Sequence, residues 1–510
     1  MLVRFRADGY IHREANMVTL SRANLADLPE RVQRPGYDRD RVRAGIAHFS
    51  VGNFHRAHQA VYVDRCLALP GQEGWGICGV GLIDNAAERA KAKGMAEQDG
   101  LYTLSLFPPR GEPTSSVVGA IVEYLFAPAD PAAVLARLGD PAIRIVSMTI
   151  TEGGYNIDEA TGGFRLDAPD IAHDLAHPEA PRTVFGFVVT ALARRREGGS
   201  PAFTVLSCDN LRHNGDVARR AMLAFAGARD PELARWIDAN VTFPNCMVDR
   251  ITPAVTPADA ARLNALTGID DRLPIFAEDF SQWVVEDRFC AGRPALERVG
   301  VQLTRDVAGY EQVKLRMLNA SHSMLSYPGL LGGYRLVHEA MADPRVLAYL
   351  KDFLDRDVIP LLAAPPGMAL GEYRDAVLTR FSNPAVNDQL LRITSDGGSK
   401  IPVFLGDTIR ACLEGGGDPR RLAFLLAAFA RYLAGIDDQG ARFEPQEPHL
   451  TAADRALATD PDPTAPLRIS TFKGLGLEDA DAFVASFERY RAQIAERGTL
   501  ATLEAMGREG

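Results

Sequence analysis

The sequence predicts an α/β N-terminal domain, doubly wound about a parallel sheet, followed by a mainly α-helical C-terminal domain. Three observations carry this. The runs Ile46 to Gly52, Gly76 to Leu82 and Ile143 to Thr151 are short, apolar and bounded by glycine or polar residues, as strands buried on both faces are. Helix-like stretches, Ala57 to Leu69 and Ala86 to Lys93, separate strands in the alternation that a parallel sheet covered by helices requires. From about residue 300 the texture changes to alanine-, leucine- and arginine-rich stretches such as Arg420 to Leu433 and Ala480 to Ala495, with few strand signals. A chain of 510 residues exceeds what one core usually holds, so residues 1–16 are read as an extension, 17–300 as the doubly wound domain and 301–510 as the helical one.

Two more strands are expected at Phe203 to Ser207 and Ala239 to Phe243, and Asp460-Pro-Asp-Pro-Thr-Ala-Pro reads as a surface loop. Hydrophobic and charged contents of 46% and 24% are those of a globular protein, and a net charge of −10 argues against a nucleic-acid partner and for a small neutral substrate. The six cysteines form no C-x-x-C pair and no Cys/His cluster, which points to a reducing cytoplasm and to neither disulfides nor a metal. No apolar run has the length of a membrane helix, so no membrane partner is expected.

The first strand runs into Ser50-Val-Gly52-Asn53-Phe54-His55-Arg56, where a Rossmann-like domain carries its glycine-rich phosphate turn. Only Gly52 stands where G-x-G-x-x-G requires a glycine. Backbone N–H groups of Gly52, Asn53 and Phe54 at the next helix start are expected to face a pyrophosphate, with His55 and Arg56 adding positive charge or simply pairing within the domain. Asp84, at the end of the second strand, suits a ribose 2′-hydroxyl and repels a 2′-phosphate, which favours NAD and leaves NADP open; its alternative role is a helix cap.

Glu311 to Ser323 is predicted to be a helix. At α-helical pitch Asn319 lies about 140° and His322 about 80° round from Lys314, so an amine, an amide and an imidazole share one broad face. Together they suit removal of a proton from an alcohol and stabilisation of the resulting oxyanion. A lysine serves as such a base only where burial and nearby positive charge lower its pKa.

Lys314-Leu-Arg-Met-Leu-Asn319-Ala-Ser-His322 resembles the Lys-x-x-x-x-Asn-x-x-His signature of the polyol-specific long-chain dehydrogenases and reductases. Four other segments resemble blocks of that family: Gly52 to Gln59, Thr149 to Tyr155, Ser207-Cys-Asp-Asn210-Leu-Arg-His-Asn-Gly215, and Phe243 to Pro253. Arg380 to Lys400 does so as well, and the resemblance runs from about Met17 to beyond residue 440. Ser50 departs from the family's usual glycine, and in relatives the acidic residue of the second strand falls slightly later than Asp84.

The resemblance implies a Rossmann-like domain, nicotinamide-dependent interconversion of a polyol and its ketose without a metal, and a monomer. It makes Lys314 the base, with Asn210 and Asn319 holding the substrate oxygen. Asp249, Arg392, Lys400 and His322 are implied to bind the other hydroxyls, and Glu152 and Glu311 to line a proton path. The branch most resembled acts on D-mannitol and D-fructose, with D-arabinitol and sorbitol as near alternatives. A fructuronate-reducing branch is the second expectation, because its version of the Lys314 helix is similar. A sugar-binding protein without activity is the expectation from another class, with Ser50 as a sign of a lost cofactor site.

Overall fold

The computed structural model describes residues 17–158 and 162–508, and the expected extension 1–16 lies outside them. The chain forms two units: the first ends at Arg305, and the second runs from Asp306 and includes Pro108–Gly111.

The first unit is built on a parallel sheet of β1 (Ala44–Phe49), β2 (Gly76–Gly81), β3 (Ile121–Phe126), β4 (Ile145–Met148) and β5 (Thr204–Ser207), in the order β3-β2-β1-β4-β5. This is the strand order of a Rossmann-type domain, with its switch point between β1 and β4. Every residue of β1, β2, β4 and β5 is buried, which is why these segments, His48 apart, are continuously apolar or small rather than alternating. On one sheet face Ala47, Phe49, Val80, Val146 and Met148 pack with residues of helices Pro131–Gly139, Val184–Glu197 and Asn214–Arg229. On the other, Ile46, Ile77, Ile145 and Leu206 pack with Ala60, Val63 and Leu67.

α1 (Asn53–Ala57) and α2 (Gln59–Leu67) follow β1, and α3 (Ala86–Glu97) follows β2. The Asn85 side chain caps α3 by accepting from Glu88 N at 2.9 Å. The expected strand at Ala239 to Phe243 is absent. Asp230 accepts from Glu232 N at 2.9 Å and Pro231 fits the first turn, so a well-capped helix runs through Pro231–Asn240. Thr242 then offers a single carbonyl bond to Val205 N, at 3.0 Å, instead of a ladder. The strand lies later, as β6 (Cys246–Asp249), antiparallel to Gln282–Glu286 with Asp249 opposite Gln282.

The second unit is helical, with no strand among its described residues from Asp306 onward. Its central α-helix, Arg420–Tyr432, is buried from Arg421 to Ala430, and Arg421 offsets its own burial by a two-pronged pair with Asp357, at 2.5 and 2.7 Å. Another helix, continuous from Ala308 to Leu331, changes pitch midway. α4 (Ala308–Val313) gives way to a π-helical segment, Lys314–Asn319, and then to α5 (Ala320–Leu331).

Candidate active site

The turn after β1 is held from below by a chain of hydroxyls. Buried His48 places Nδ1 2.8 Å from Ser147 Oγ and Nε2 3.1 Å from Thr149 Oγ1, and Thr149 Oγ1 donates to the Ser50 carbonyl at 2.9 Å. With the Thr149 proton committed to Ser50, Nε2 of His48 is the donor, and in a neutral ring Nδ1 then accepts from Ser147. Burial pulls its pKa down to about 3, in agreement.

His55 stacks on this ring at 3.4 Å, and burial holds its pKa well below the ordinary value. The positive charge expected of His55 is therefore absent. Arg56 is buried and bonded to the Leu273 carbonyl and Asn53 Oδ1, both at 2.7 Å, while Asn53 Nδ2 reaches Pro253 O at 3.4 Å. A second cation at the turn is one that sequence reasoning passed over: Lys91 of α3 bonds the Val51 carbonyl at 3.0 Å and pairs with Glu88. The Glu88-x-x-Lys91 spacing was its only signal.

The Gly52 N–H also departs from expectation, since it donates to the Ser50 carbonyl at 2.8 Å and closes the turn on itself. The N–H groups of Asn53 and Phe54, in the first turn of α1, have no acceptor inside the helix. A Cβ added to Gly52 would approach only Ser50 O, at 4.0 Å, so the glycine leaves open space beside the backbone.

A cleft of about 710 Å³ opens at the carboxyl ends of the parallel strands, lined by Ser50 after β1, Asp84 after β2, Ala127 after β3 and Ile150 after β4. This is where doubly wound sheets bind ligands, and its size suits one. Of the turn residues nominated from sequence, Gly52 to Arg56, none lines it. Asp84 stands half exposed at its wall, and its partner Arg89, at 2.6 Å, holds its carboxyl below the usual range. Asn85, not Asp84, takes the helix-capping role. A dinucleotide fits these residues: open space at Gly52, N–H groups of α1 with no acceptor inside the helix, and a carboxylate after β2.

Beyond β4 and β5 two loops are tied together. The buried Asp209 carboxylate accepts from Ile150 N at 3.1 Å, Thr151 N at 2.8 Å and Tyr155 OH at 2.7 Å. Its neighbour Asn210 and Glu152 of the tied loop are both exposed. Asp249, at the end of β6, is 3% exposed.

In the second unit the π-helical segment buries every one of its residues, Lys314, Arg316 and Asn319 included. Bonding from i to i+5 widens the turn, so Lys314 and Asn319 lie one turn apart along the same side, closer in azimuth than α-helical pitch predicts. Asn319 Nδ2 is buried with no hydrogen-bond acceptor among the described residues. Arg316 Nε bonds Thr408 Oγ1 at 3.1 Å. Glu311 is buried one helical turn before Lys314. His322 stacks on Phe381 at 4.2 Å. Lys400 donates to the Ser395 carbonyl at 2.6 Å, and exposed Arg392 grips Asp388 at 2.6 and 2.8 Å.

A Rossmann-type unit with a ligand cleft at its switch point, and a helical unit that buries a lysine and an amide in one π turn, define an oxidoreductase of two domains. Residues 44–298 match the mannitol dehydrogenase Rossmann domain and residues 306–495 the mannitol dehydrogenase C-terminal domain. The chain belongs to the mannitol dehydrogenase family. It is 51% identical to the polyol:NADP oxidoreductase of Gluconobacter oxydans, over 95% of this chain and 100% of that one. It is 42% identical to the mannitol 2-dehydrogenase of Phaeosphaeria nodorum, over 96% and 86%. Among solved structures, a substrate-free D-sorbitol dehydrogenase matches with a TM-score of 0.90 and 51% identity, covering 95% and 100% of the chains. The Pseudomonas fluorescens mannitol 2-dehydrogenase, in ternary complex with NAD and D-mannitol, matches with a TM-score of 0.86 and 44% identity, covering 97% and 100%.

Proposed function

We propose that this protein is a nicotinamide-dependent polyol dehydrogenase that interconverts D-mannitol and D-fructose, with NAD as cofactor and Lys314 as the general base. The observation that carries the proposal is the burial of the Lys314 amine and the Asn319 amide within one π-helical turn. The names of relatives more than 40% identical over nearly the whole chain support the substrate class.

When bound, the nicotinamide supplies the hydride acceptor for oxidation and the hydride donor for reduction. In oxidation, neutral Lys314 takes the hydroxyl proton as the carbinol carbon gives up its hydride, leaving a ketone and an ammonium. Asn319 donates its Nδ2 hydrogens to the oxygen as charge develops there, a role that suits an amide whose Nδ2 has no acceptor among the described residues. Asn210 is read as a second amide of this kind. Asp249 and His322 supply acceptor and donor groups for the remaining hydroxyls, with Arg392 and Lys400 in the same role. Glu152 and Glu311 carry the proton onward from the base.

A second reading has specific support: the 51% identical relatives are named a polyol:NADP oxidoreductase and a D-sorbitol dehydrogenase, which favours D-sorbitol and NADPH. Oxidation of NADH and of NADPH with D-fructose, followed by loss of the reduced-nicotinamide absorbance, tests the proposal. Rapid NADH turnover, reversed by D-mannitol, is expected. Turnover with NADPH alone, reversed by D-sorbitol, selects the second reading, and a clear preference for fructuronate overturns both.

A further inference from the structure

We propose that Asp209 is a positioning residue: it fixes the Thr149–Tyr155 segment in the conformation that presents Glu152 for proton transfer. The inference rests on the proton-path role proposed above for Glu152 and adds what holds that group in place.

Both Asp209 oxygens are already engaged. Oδ1 accepts from Thr151 N at 2.8 Å, and Oδ2 accepts from Ile150 N at 3.1 Å and Tyr155 OH at 2.7 Å. The residue is only 7% exposed, so it is poorly placed to meet a ligand. What these bonds secure is unusual. Thr151 has φ 61° and ψ 169°, a region that is essentially glycine's own, and a β-branched residue stays there only if its surroundings hold it. The N–H groups of Ile150 and Thr151 grip one carboxylate, and Tyr155 closes the loop on it from the far side of Glu152.

The anchor is itself anchored. Tyr155 OH lies 2.5 Å from Ser207 Oγ at the end of β5, and Asn214 Nδ2 donates to the Asp209 carbonyl at 3.0 Å. A buried, triply bonded carboxylate in the loop just past β5 thus sets the backbone on both sides of an exposed carboxylate. Releasing it lets Thr151 relax towards ordinary dihedral angles, and Glu152, the next residue, swings with it.

The test is a double-mutant cycle on the full-length protein, with polyol oxidation followed across pH and NADH affinity measured separately. Asp209→Asn keeps the volume but cannot accept from all three donors, and it should lower kcat roughly tenfold to a hundredfold while leaving NADH affinity unchanged. Its kcat–pH profile should shift as that of Glu152→Gln does. The double variant should be no slower than the slower single one, because both remove the same function. Losses that multiply in the double variant, or an Asp209→Asn variant as fast as the wild type, overturn the inference and leave the Glu152 role standing. A Glu152→Gln variant as fast as the wild type removes Glu152 from the proton path and takes the inference with it. Should Asp209→Asn fail to fold, Tyr155→Phe, which deletes one hydroxyl of the clamp, runs the same cycle with the same expected outcomes.

Discussion

Lys314 carries the heaviest demand of any side chain in this protein. Lys314→Ala removes the proposed proton acceptor and should cost several orders of magnitude in kcat, with NADH affinity nearly intact because the Rossmann unit is untouched; near-native turnover refutes the assignment. Asp84 makes a second prediction. Its carboxylate opposes a 2′-phosphate, while its partner Arg89 is a cation suited to one. Asp84→Asn should therefore raise kcat/KM with NADPH relative to NADH, and Asp84→Asn with Arg89→Leu should lose that gain. Steady-state kinetics with both cofactors decides it. Residue types, spacing and the family resemblance nominated Lys314, Asn319 and Asp84 from the sequence. Lys91 and Asp209 were not, because a lysine beside a glutamate reads as a solvated helix pair and an aspartate in Ser-Cys-Asp-Asn reads as a turn former. Only the packing of α3 and β5 against neighbouring loops gives those two their partners.

Four of the five parallel strands announced themselves through unbroken apolar composition, and α2 and α3 through their helix formers, whereas β3, half-buried and interrupted by Glu123, gave no such run. The π-helical segment could not be read from the sequence either. Its residues are buried on every side, which leaves no amphipathic stripe from which to read a change of pitch. The local pitch decides how nearly Lys314 and Asn319 align, and α-helical geometry understated it. The turn after β1 hides strain in a similar way. Ser50 has φ 66°, in the left-handed region that favours glycine, and its backbone makes three bonds: N to Val80 O, and O to Thr149 Oγ1 and Gly52 N. Ser50→Gly keeps all three bonds and relieves the strain, at the cost of a more flexible unfolded chain. The variant should be at least as stable as the wild type, by up to about 1 kcal/mol in chemical denaturation. A clear loss of stability would show that the serine side chain contributes something the backbone account lacks.

Two units with separate cores should unfold in separable steps, so pH can be used to ask what each buried group contributes to its own unit. In the first unit His48 and Asp64 act with opposite signs. His48 is held at about 3, below the ordinary histidine value, so its contribution is complete above about pH 6.5 and is lost as pH falls towards 3. Asp64 is raised to about 6 by burial, although it accepts Tyr37 OH at 2.6 Å and Gly119 N at 2.8 Å through one oxygen. A carboxyl with a raised folded pKa binds its proton more tightly folded than unfolded. The first unit therefore gains stability from Asp64 as pH falls from about 6 towards 4, while above pH 6 the buried charge is a standing cost. Asp64→Asn leaves one oxygen to accept both bonds and removes the charge. It should stabilise the first unit at pH 7 by roughly 1–2 kcal/mol, and the advantage should close as pH falls through about 6 to 4. Denaturant titrations of the wild type and the variant at pH 7 and pH 4.5, read by a probe in the first unit, measure the gap at both ends. A gap that stays constant with pH would mean that Asp64 is ionised as readily folded as unfolded, and that Tyr37, Gly119 and the nearby Arg39 compensate its burial in full.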